Sequence, residues 1–293
     1  MTPPISALAY LGPAGTYGEQ ASRRLALLAD SATARLVPQI SIRSVVQALV
    51  DSQCDGAVVP VENSVEGGVS TCLDVLWETS HLPEKSLRIE RALVLPIRHA
   101  LLSDGPLDGI TEVLSHPQAL GQCSAWLQQH LPGALQLTTS STAEAARMVK
   151  GSRFRAAIAS REAGLEHGLP QLAYPINDQA GNCTRFLLLR RGAAPVDSLS
   201  NCTSLAFSLH SNAPGALLQA LQLFADRQLN MSRIESRPSK RELGEYVFFV
   251  DLDTTGPSQN AAALVQDTLA ALLPLCEHLA CFGSYPVTSD PQA

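Results

Sequence analysis

Ser6-Ala7-Leu8-Ala9-Tyr10-Leu11-Gly12-Pro13-Ala14-Gly15-Thr16-Tyr17 carries an apolar stretch straight into a glycine-rich turn, and a helical pattern from Gln20 to Leu28 follows. Strand, glycine turn and helix in that order make one αβ repeat. Similar units recur along the chain. Gly56 to Val61 and Leu87 to Pro96 read as buried strands, Val113 to Ser115 precedes a helix opening at Pro117, and Ala156 to Ala159 is a short buried strand. This alternation predicts an α/β architecture with mainly parallel strands and ligands at their carboxyl ends.

With 293 residues, 45% of them hydrophobic, the chain has the length for about two domains. Its net charge of -6 and scattered basic residues argue against nucleic acid, whose phosphates need a clustered positive surface. Met1-Thr2-Pro3-Pro4 lacks the basic run of a secretory signal. Even the apolar stretch from Ala261 to Leu275 is broken by Gln266, Asp267 and Pro274, so no membrane span is expected. The expectation is a cytoplasmic protein that handles small metabolites. The seven cysteines, Cys54, Cys72, Cys123, Cys183, Cys202, Cys276 and Cys281, show no CxxC spacing, which argues against a disulfide framework or a zinc site.

Four polar clusters stand at the ends of the apolar runs. Gly12 to Tyr17 can turn backbone N–H groups onto an anion, with the Thr16 hydroxyl as a further donor; a turn that merely joins strand to helix would look the same. Glu62-Asn63-Ser64 follows a strand and precedes Gly67-Gly68. Asn63 and Ser64 can donate to carboxylate oxygens without bringing charge, or cap the next helix, while Glu62 can orient donors or pair with Arg185. Ser115-His116-Pro117-Gln118 has the proline of a helix start, and Ser115 and Gln118 can add donors. Asn182-Cys183-Thr184-Arg185-Phe186 puts a hydroxyl, a guanidinium and an aromatic ring side by side; Cys183 has no evident partner base for a nucleophilic role.

Taken together and in this order, the four clusters resemble prephenate dehydratase, which removes water and CO2 from prephenate to make phenylpyruvate. The resemblance implies two lobes of the periplasmic-binding-protein type with the active site between them. The catalytic region would span 1–192, its second lobe about 87–164, and Asn177 to Leu189 would cross back to complete the first. It assigns the leaving-group donor to Thr184 and substrate contacts to Thr16, Glu62, Asn63, Ser64, Ser115, Gln118, Asn182, Arg185 and Phe186. Loss of CO2 and hydroxide creates an aromatic ring, so neither metal nor redox cofactor is called for. Where the family commonly has serine, this chain has Gly18.

After a Pro/Gly-containing stretch at 193–200 that reads as a linker, the pattern changes. Thr203 to His210, Gly215 to Arg227, Met231 to Arg237, Tyr246 to Leu252, Asn260 to Leu273 and Leu279 to Tyr285 alternate as βαββαβ, a ferredoxin-like order. Pro214-Gly215-Ala216-Leu217 and Glu235-Ser236-Arg237-Pro238 resemble the phenylalanine-binding signatures of an ACT domain, here 201–286. That resemblance implies an effector site formed with Asn212, Pro214, Gly215, Ala216, Leu217, Glu235, Ser236 and Arg237; Arg237-Pro238 read alone would also suit an edge-strand terminator. It further implies a homodimer or a dimer-based homotetramer. Residues 287–293 are expected to form a loose tail. The chain is thus expected to be a monofunctional prephenate dehydratase, since Ser6 already begins the first catalytic strand. Its rivals are an arogenate dehydratase and a non-catalytic amino-acid sensor.

Overall fold

The computed structural model of the chain describes residues 3–192, 200–211, 213–255 and 261–290, so the expected linker falls almost wholly outside the described residues. Three sheets organise it. The first runs from Val287–Ser289 through Leu87–Pro96, Cys183–Arg191, Gly56–Asn63 and Ala7–Leu11 to Arg35–Gln39, with Gly67–Gly68 folded back on Gly56–Asn63. The second, a lobe of its own, has the order Gln171–Ala173, Ala100–Leu102, Arg155–Ala159, Glu112–Ser115, Leu135–Thr138.

Leu87–Pro96, expected in the second lobe, belongs to the first sheet, where it pairs with Cys183–Arg191 along its length. The sheets are also mixed, not mainly parallel. Cys183–Arg191 runs antiparallel to both neighbours, because the chain leaves the first lobe along Leu87–Pro96 and comes back beside the strand it left by. The outgoing and returning segments bond to each other as they cross: the Ile97 N–H donates to Asn182 O at 2.8 Å, and the Ile176 N–H donates to His99 O at 3.0 Å. A two-stranded hinge therefore joins the lobes.

The C-terminal region folds as βαββαβ in the ferredoxin-like arrangement, with strands ordered Asn230–Pro238, Tyr246–Asp253, Cys202–Leu209, Cys276–Tyr285. Strand alternation gives its sheet two buried faces. Phe207, Val250 and Leu252 pack under the helices with Phe224 and Leu272. Ala206, Val247, Phe249, Phe282 and Tyr285 turn the other way and share one core with Leu73, Leu76, Ile89 and Leu187 of the catalytic region. No helix among the described residues is long and apolar enough to cross a membrane.

The end of the chain is not a loose tail as far as Asp290. Val287–Ser289 lies parallel to Ala92–Val94, the Ala92 N–H donates to Pro286 O at 2.9 Å, and the Asp290 N–H donates to Val94 O at 3.1 Å. Asp290 also pairs with Arg24 at 3.3 Å, and the Val287 N–H donates to Asn201 Oδ1 at 2.7 Å. An edge strand thus comes from beyond the C-terminal sheet. Ending the chain at Tyr285 removes these bonds and bares the edge of Leu87–Pro96, so its melting temperature should fall by about 5–10 °C. Thermal melts followed by circular dichroism measure this; an unchanged midpoint would mean that the strand adds no stability.

Candidate active site

A cleft of about 1030 Å³ opens between the two lobes. Its first-lobe wall follows from the pairing of two strands. In the register of Cys183–Arg191 against Gly56–Asn63, Thr184 lies opposite Asn63 and Arg185 opposite Glu62, after which a bulge brings Phe186 opposite Pro60. Successive side chains point to opposite faces, so Thr184, Asn63, Phe186 and Pro60 line the cleft while Arg185 and Glu62 face away from it.

Thr184 is buried, and its Oγ accepts from Asn63 Nδ2 at 2.9 Å. Asn63 is itself locked. Its Oδ1 takes the N–H groups of Val65 and Glu66 at 2.9 and 3.0 Å, and its Nδ2 also reaches Asn182 Oδ1 at 3.0 Å and Cys183 O at 3.1 Å. Because Thr184 is an acceptor toward Asn63, its own hydroxyl hydrogen, which meets no acceptor among the described residues, is left for the cleft. Asn182 continues the network into the second lobe by donating to Gln122 Oε1 at 2.9 Å. Gln122 Oε1 lies 3.1 Å from His99 Nε2, and His99 Nδ1 lies 3.2 Å from the Tyr17 hydroxyl. Gln122 Nε2 donates to Glu66 Oε1 at 3.3 Å, which leaves its Oε1 to accept from Asn182 and from a His99 Nε2–H.

His99 is almost fully buried, and burial pushes its pKa down to about 4 against the opposing pull of the Gln122 hydrogen bond. A neutral imidazole donates from Nε2 to Gln122 Oε1, while the Tyr17 hydroxyl gives its own proton to Arg98 O at 2.7 Å. Burial, ahead of a nearby Glu162, likewise holds the Tyr17 phenol well above its ordinary range.

The other expected site residues separate into two groups. Thr16 and Gln118 line the cleft. The Thr16 hydroxyl donates to Pro13 O at 2.9 Å while its oxygen caps the helix Tyr17–Leu28 by accepting from the Glu19 N–H, so it shapes the turn. The remaining five, Glu62 among them, stay out of the cleft lining. Ser64 is held in the strand pairing, its Oγ accepting from the Cys183 N–H at 3.0 Å. Ser115 is fully buried and donates to Ile158 O at 2.6 Å, tying two strands together. Arg185 pairs with Asp251 of the C-terminal region at 2.5 Å and with Glu62 at 3.0 Å. Asn182 is buried and acts through its neighbours. Gly18 has a steric reason: a Cβ there would stand 2.7 Å from Leu11 O, so the serine common in the family does not fit this turn.

Two network members carry no motif. Gln122 follows Gln118 by one helical turn, so an i, i+4 pairing on the helix that opens at Pro117 would have found it. His99 has no local signal; the hinge brings it there. Ser141, Thr142 and Ala143, at the capped start of the helix Thr142–Val149, also line the cleft from the second lobe.

The family model for prephenate dehydratase matches residues 8–194, and the model for the ACT domain matches residues 203–268. The prephenate dehydratase of Amycolatopsis methanolica is 36% identical over 283 residues, covering 96% of this chain and 88% of its own length. This chain belongs to the prephenate dehydratase family. The bifunctional chorismate mutase/prephenate dehydratase of Neisseria gonorrhoeae (strain ATCC 700825 / FA 1090) is 38% identical over 286 residues, covering 95% of this chain and 74% of its own. Among solved structures, prephenate dehydratase from Arthrobacter aurescens in complex with L-Phe superposes with a TM-score of 0.83 at 34% identity, covering 96% of this chain and 90% of the other.

The buried His99 gives a pH signature. Its folded pKa, about 4, lies below the ordinary value of 6.5. The unfolded chain therefore takes up a proton that the folded chain refuses, and the stability held above pH 6.5 drains away as the pH falls toward 4. Urea melts at pH 7 and pH 5 should show a smaller pH-dependent loss for His99→Gln than for wild type. An equal loss would mean that His99 is charged in the fold.

Proposed function

We propose that this chain catalyses the decarboxylating dehydration of prephenate in the interlobe cleft, with Thr184 as hydrogen-bond donor to the departing hydroxyl, and that phenylalanine regulates it through the ACT domain. One observation carries the catalytic part: Asn63 Nδ2 donates to Thr184 Oγ at 2.9 Å. A hydroxyl that accepts a hydrogen bond becomes a better donor, and this one has its hydrogen to spare. In the reaction the ring C–O bond and the bond from ring to carboxylate break, and the electron pair of the second completes the aromatic ring. CO2 departs. The leaving oxygen, held by Thr184 as charge builds on it, ends as water with a proton drawn from solvent.

Binding of a dianion falls to neutral donors. The N–H groups of Tyr17 and Gly18, and of Thr142 and Ala143, belong to the first turns of two helices from opposite lobes, and all four residues line the cleft. Such N–H groups have no partner within the helix and favour anions. Gln118 adds a side-chain donor, and Phe186 and Pro60 keep the reacting ring against apolar surface.

For regulation, Ala216 and Leu217 line a cavity of about 350 Å³ together with Ser211, Ala213 and Tyr246. Asn212 lies outside the described residues. Glu235 and Arg237 are engaged elsewhere in the same chain, with Arg233 at 3.3 Å and with Asp74 at 3.1 Å. Ser236 and Ile234 are exposed on the edge strand Asn230–Pro238, and Leu218 is exposed beside the helix start. A second copy that supplies its edge strand to the Gly215 turn would join the two halves of the effector motif, which supports a dimer or a dimer-based tetramer.

Thr184→Ala should lower kcat by about 10²–10³-fold with the fold preserved, and Thr184→Ser should keep more of it. Steady-state kinetics on prephenate and arogenate in parallel test both the donor and the substrate; near-normal turnover of Thr184→Ala would remove Thr184 from the chemistry. Gly215 has φ +86°, a conformation that a β-branched residue rarely adopts, so Gly215→Val strains the turn that sets Ala216 and Leu217 at the effector cavity. Calorimetric titration should then give at least about tenfold weaker phenylalanine binding, a loss of about 1.4 kcal/mol. Equal binding by wild type and Gly215→Val would put the effector site elsewhere.

A further inference from the structure

Five charged side chains cross the boundary between the catalytic region and the ACT domain in one chain of contacts. Glu62 meets Arg185 at 3.0 Å, Arg185 meets Asp251 at 2.5 Å, Asp251 meets Arg233 at 2.8 Å, and Arg233 meets Glu235 at 3.3 Å. The chain begins one residue from Asn63 and ends inside the Glu235-Ser236-Arg237 signature. Asp251 at its centre has 1% of its side chain exposed. Its second oxygen, Oδ1, accepts from Ser204 Oγ at 2.5 Å, and Ser204 in turn meets the Tyr285 hydroxyl at 2.6 Å.

Arg185 is fastened unusually for an arginine. One terminal nitrogen, Nη2, serves both carboxylates, while its buried Nε has no hydrogen-bond partner among the described residues. The contact is therefore a single pivot, without the rigidity of a bidentate fork. Asp251 nonetheless stays ionised: burial works to raise its pKa, but the guanidiniums of Arg233 and Arg185 outweigh burial and hold it below the usual carboxylate range.

The pivot sits where the strand can give. The register of Cys183–Arg191 against Gly56–Asn63 slips between Arg185 and Phe186, and a bulge bends a strand and re-aims its side chains. Thr184 and Phe186 face the cleft from one side of this stretch, and Arg185 is held from the other. A displacement of Asp251 with its domain thus reaches the Thr184 hydroxyl through one residue of backbone.

We propose that Asp251 is a positioning residue for the dehydration: it sets Thr184 by holding Arg185 from behind the strand, and phenylalanine alters turnover by shifting this contact. The inference rests on the Thr184 chemistry and the phenylalanine regulation proposed above. Both ligands must then bias the same two-state element, and their coupling must be reciprocal.

The test is Asp251→Asn, which keeps the shape and removes the charge. Expected is a fall in kcat of about 10- to 100-fold, with a KM for prephenate close to wild type, because a small misplacement harms the chemistry more than the binding. Phenylalanine should still bind by calorimetry, yet the ratio of kcat/KM without and with saturating phenylalanine, typically about 5- to 150-fold for coupled sites, should collapse toward one. Ser204→Ala guards against a variant that fails to fold, since it removes one hydrogen bond from Asp251 and no charge; it should shift kcat and the phenylalanine ratio in the same direction by less. Folded Asp251→Asn with wild-type kcat and wild-type inhibition would overturn the proposal, as would an unfolded Asp251→Asn beside a Ser204→Ala indistinguishable from wild type. If phenylalanine fails to inhibit wild type at all, the regulatory reading fails, and the kcat of the two variants alone decides whether Asp251 positions Thr184.

Discussion

The two-residue period of the strand Cys183–Arg191 is the constraint on which the rest of the molecule depends. This strand lies between Gly56–Asn63 and Leu87–Pro96 and is hydrogen-bonded to both, so its register fixes two neighbours at once. On one face Thr184 and Phe186 meet the cleft; on the other, Arg185 and Leu187 meet the core shared with the C-terminal sheet. A slip of one residue would exchange the faces, putting a guanidinium into the cleft and the hydroxyl against the ACT domain. The ion pair of Arg185 with the buried Asp251 opposes that slip, because it would leave a carboxylate uncompensated in the interior.

The cleft side is held by amides. Asn63, Asn182 and Gln122 form a directional line in which each carbonyl oxygen accepts and each amide nitrogen donates, and it crosses from the first lobe to the second before ending on the neutral His99. The Thr184 hydroxyl is thereby oriented by amide dipoles already in place. The same line ties the lobes together beside the hinge.

Much of this was legible in the sequence, and what was not has identifiable causes. The ACT elements follow their alternation closely: Tyr246–Asp253 and Ala261–Leu272 lie within a residue of the stretches read from apolar spacing. Arg35–Gln39 escaped because it is an edge strand, partly exposed and interrupted by Pro38, so it shows no apolar run. Leu135–Thr138, another exposed edge, escaped for the same reason. At the site, residue types were readable but their facing was not. Whether Arg185 turns to substrate or away depends on Asp251, 66 residues further on, in a strand of another domain. Ser115 and Ser64 have the right chemistry for carboxylate donors, yet the strand geometry spends their hydroxyls on Ile158 O and on the Cys183 N–H.

That facing answers a chemical question the motif leaves open. A ring carboxylate that must depart as CO2 loses its charge in the transition state, so a strong cation bound to it would stabilise the reactant more than the transition state and slow the step. Among the described residues lining the cleft, Arg147 is the one arginine, and it is largely exposed and paired with Glu144 at 3.3 Å. Arg185, the cation written into the motif itself, is withdrawn behind the strand and neutralised by Asp251 and Glu62. The motif's own cation is thus kept where it joins domains, and neutral donors are kept where the proposed chemistry must let a carboxylate go.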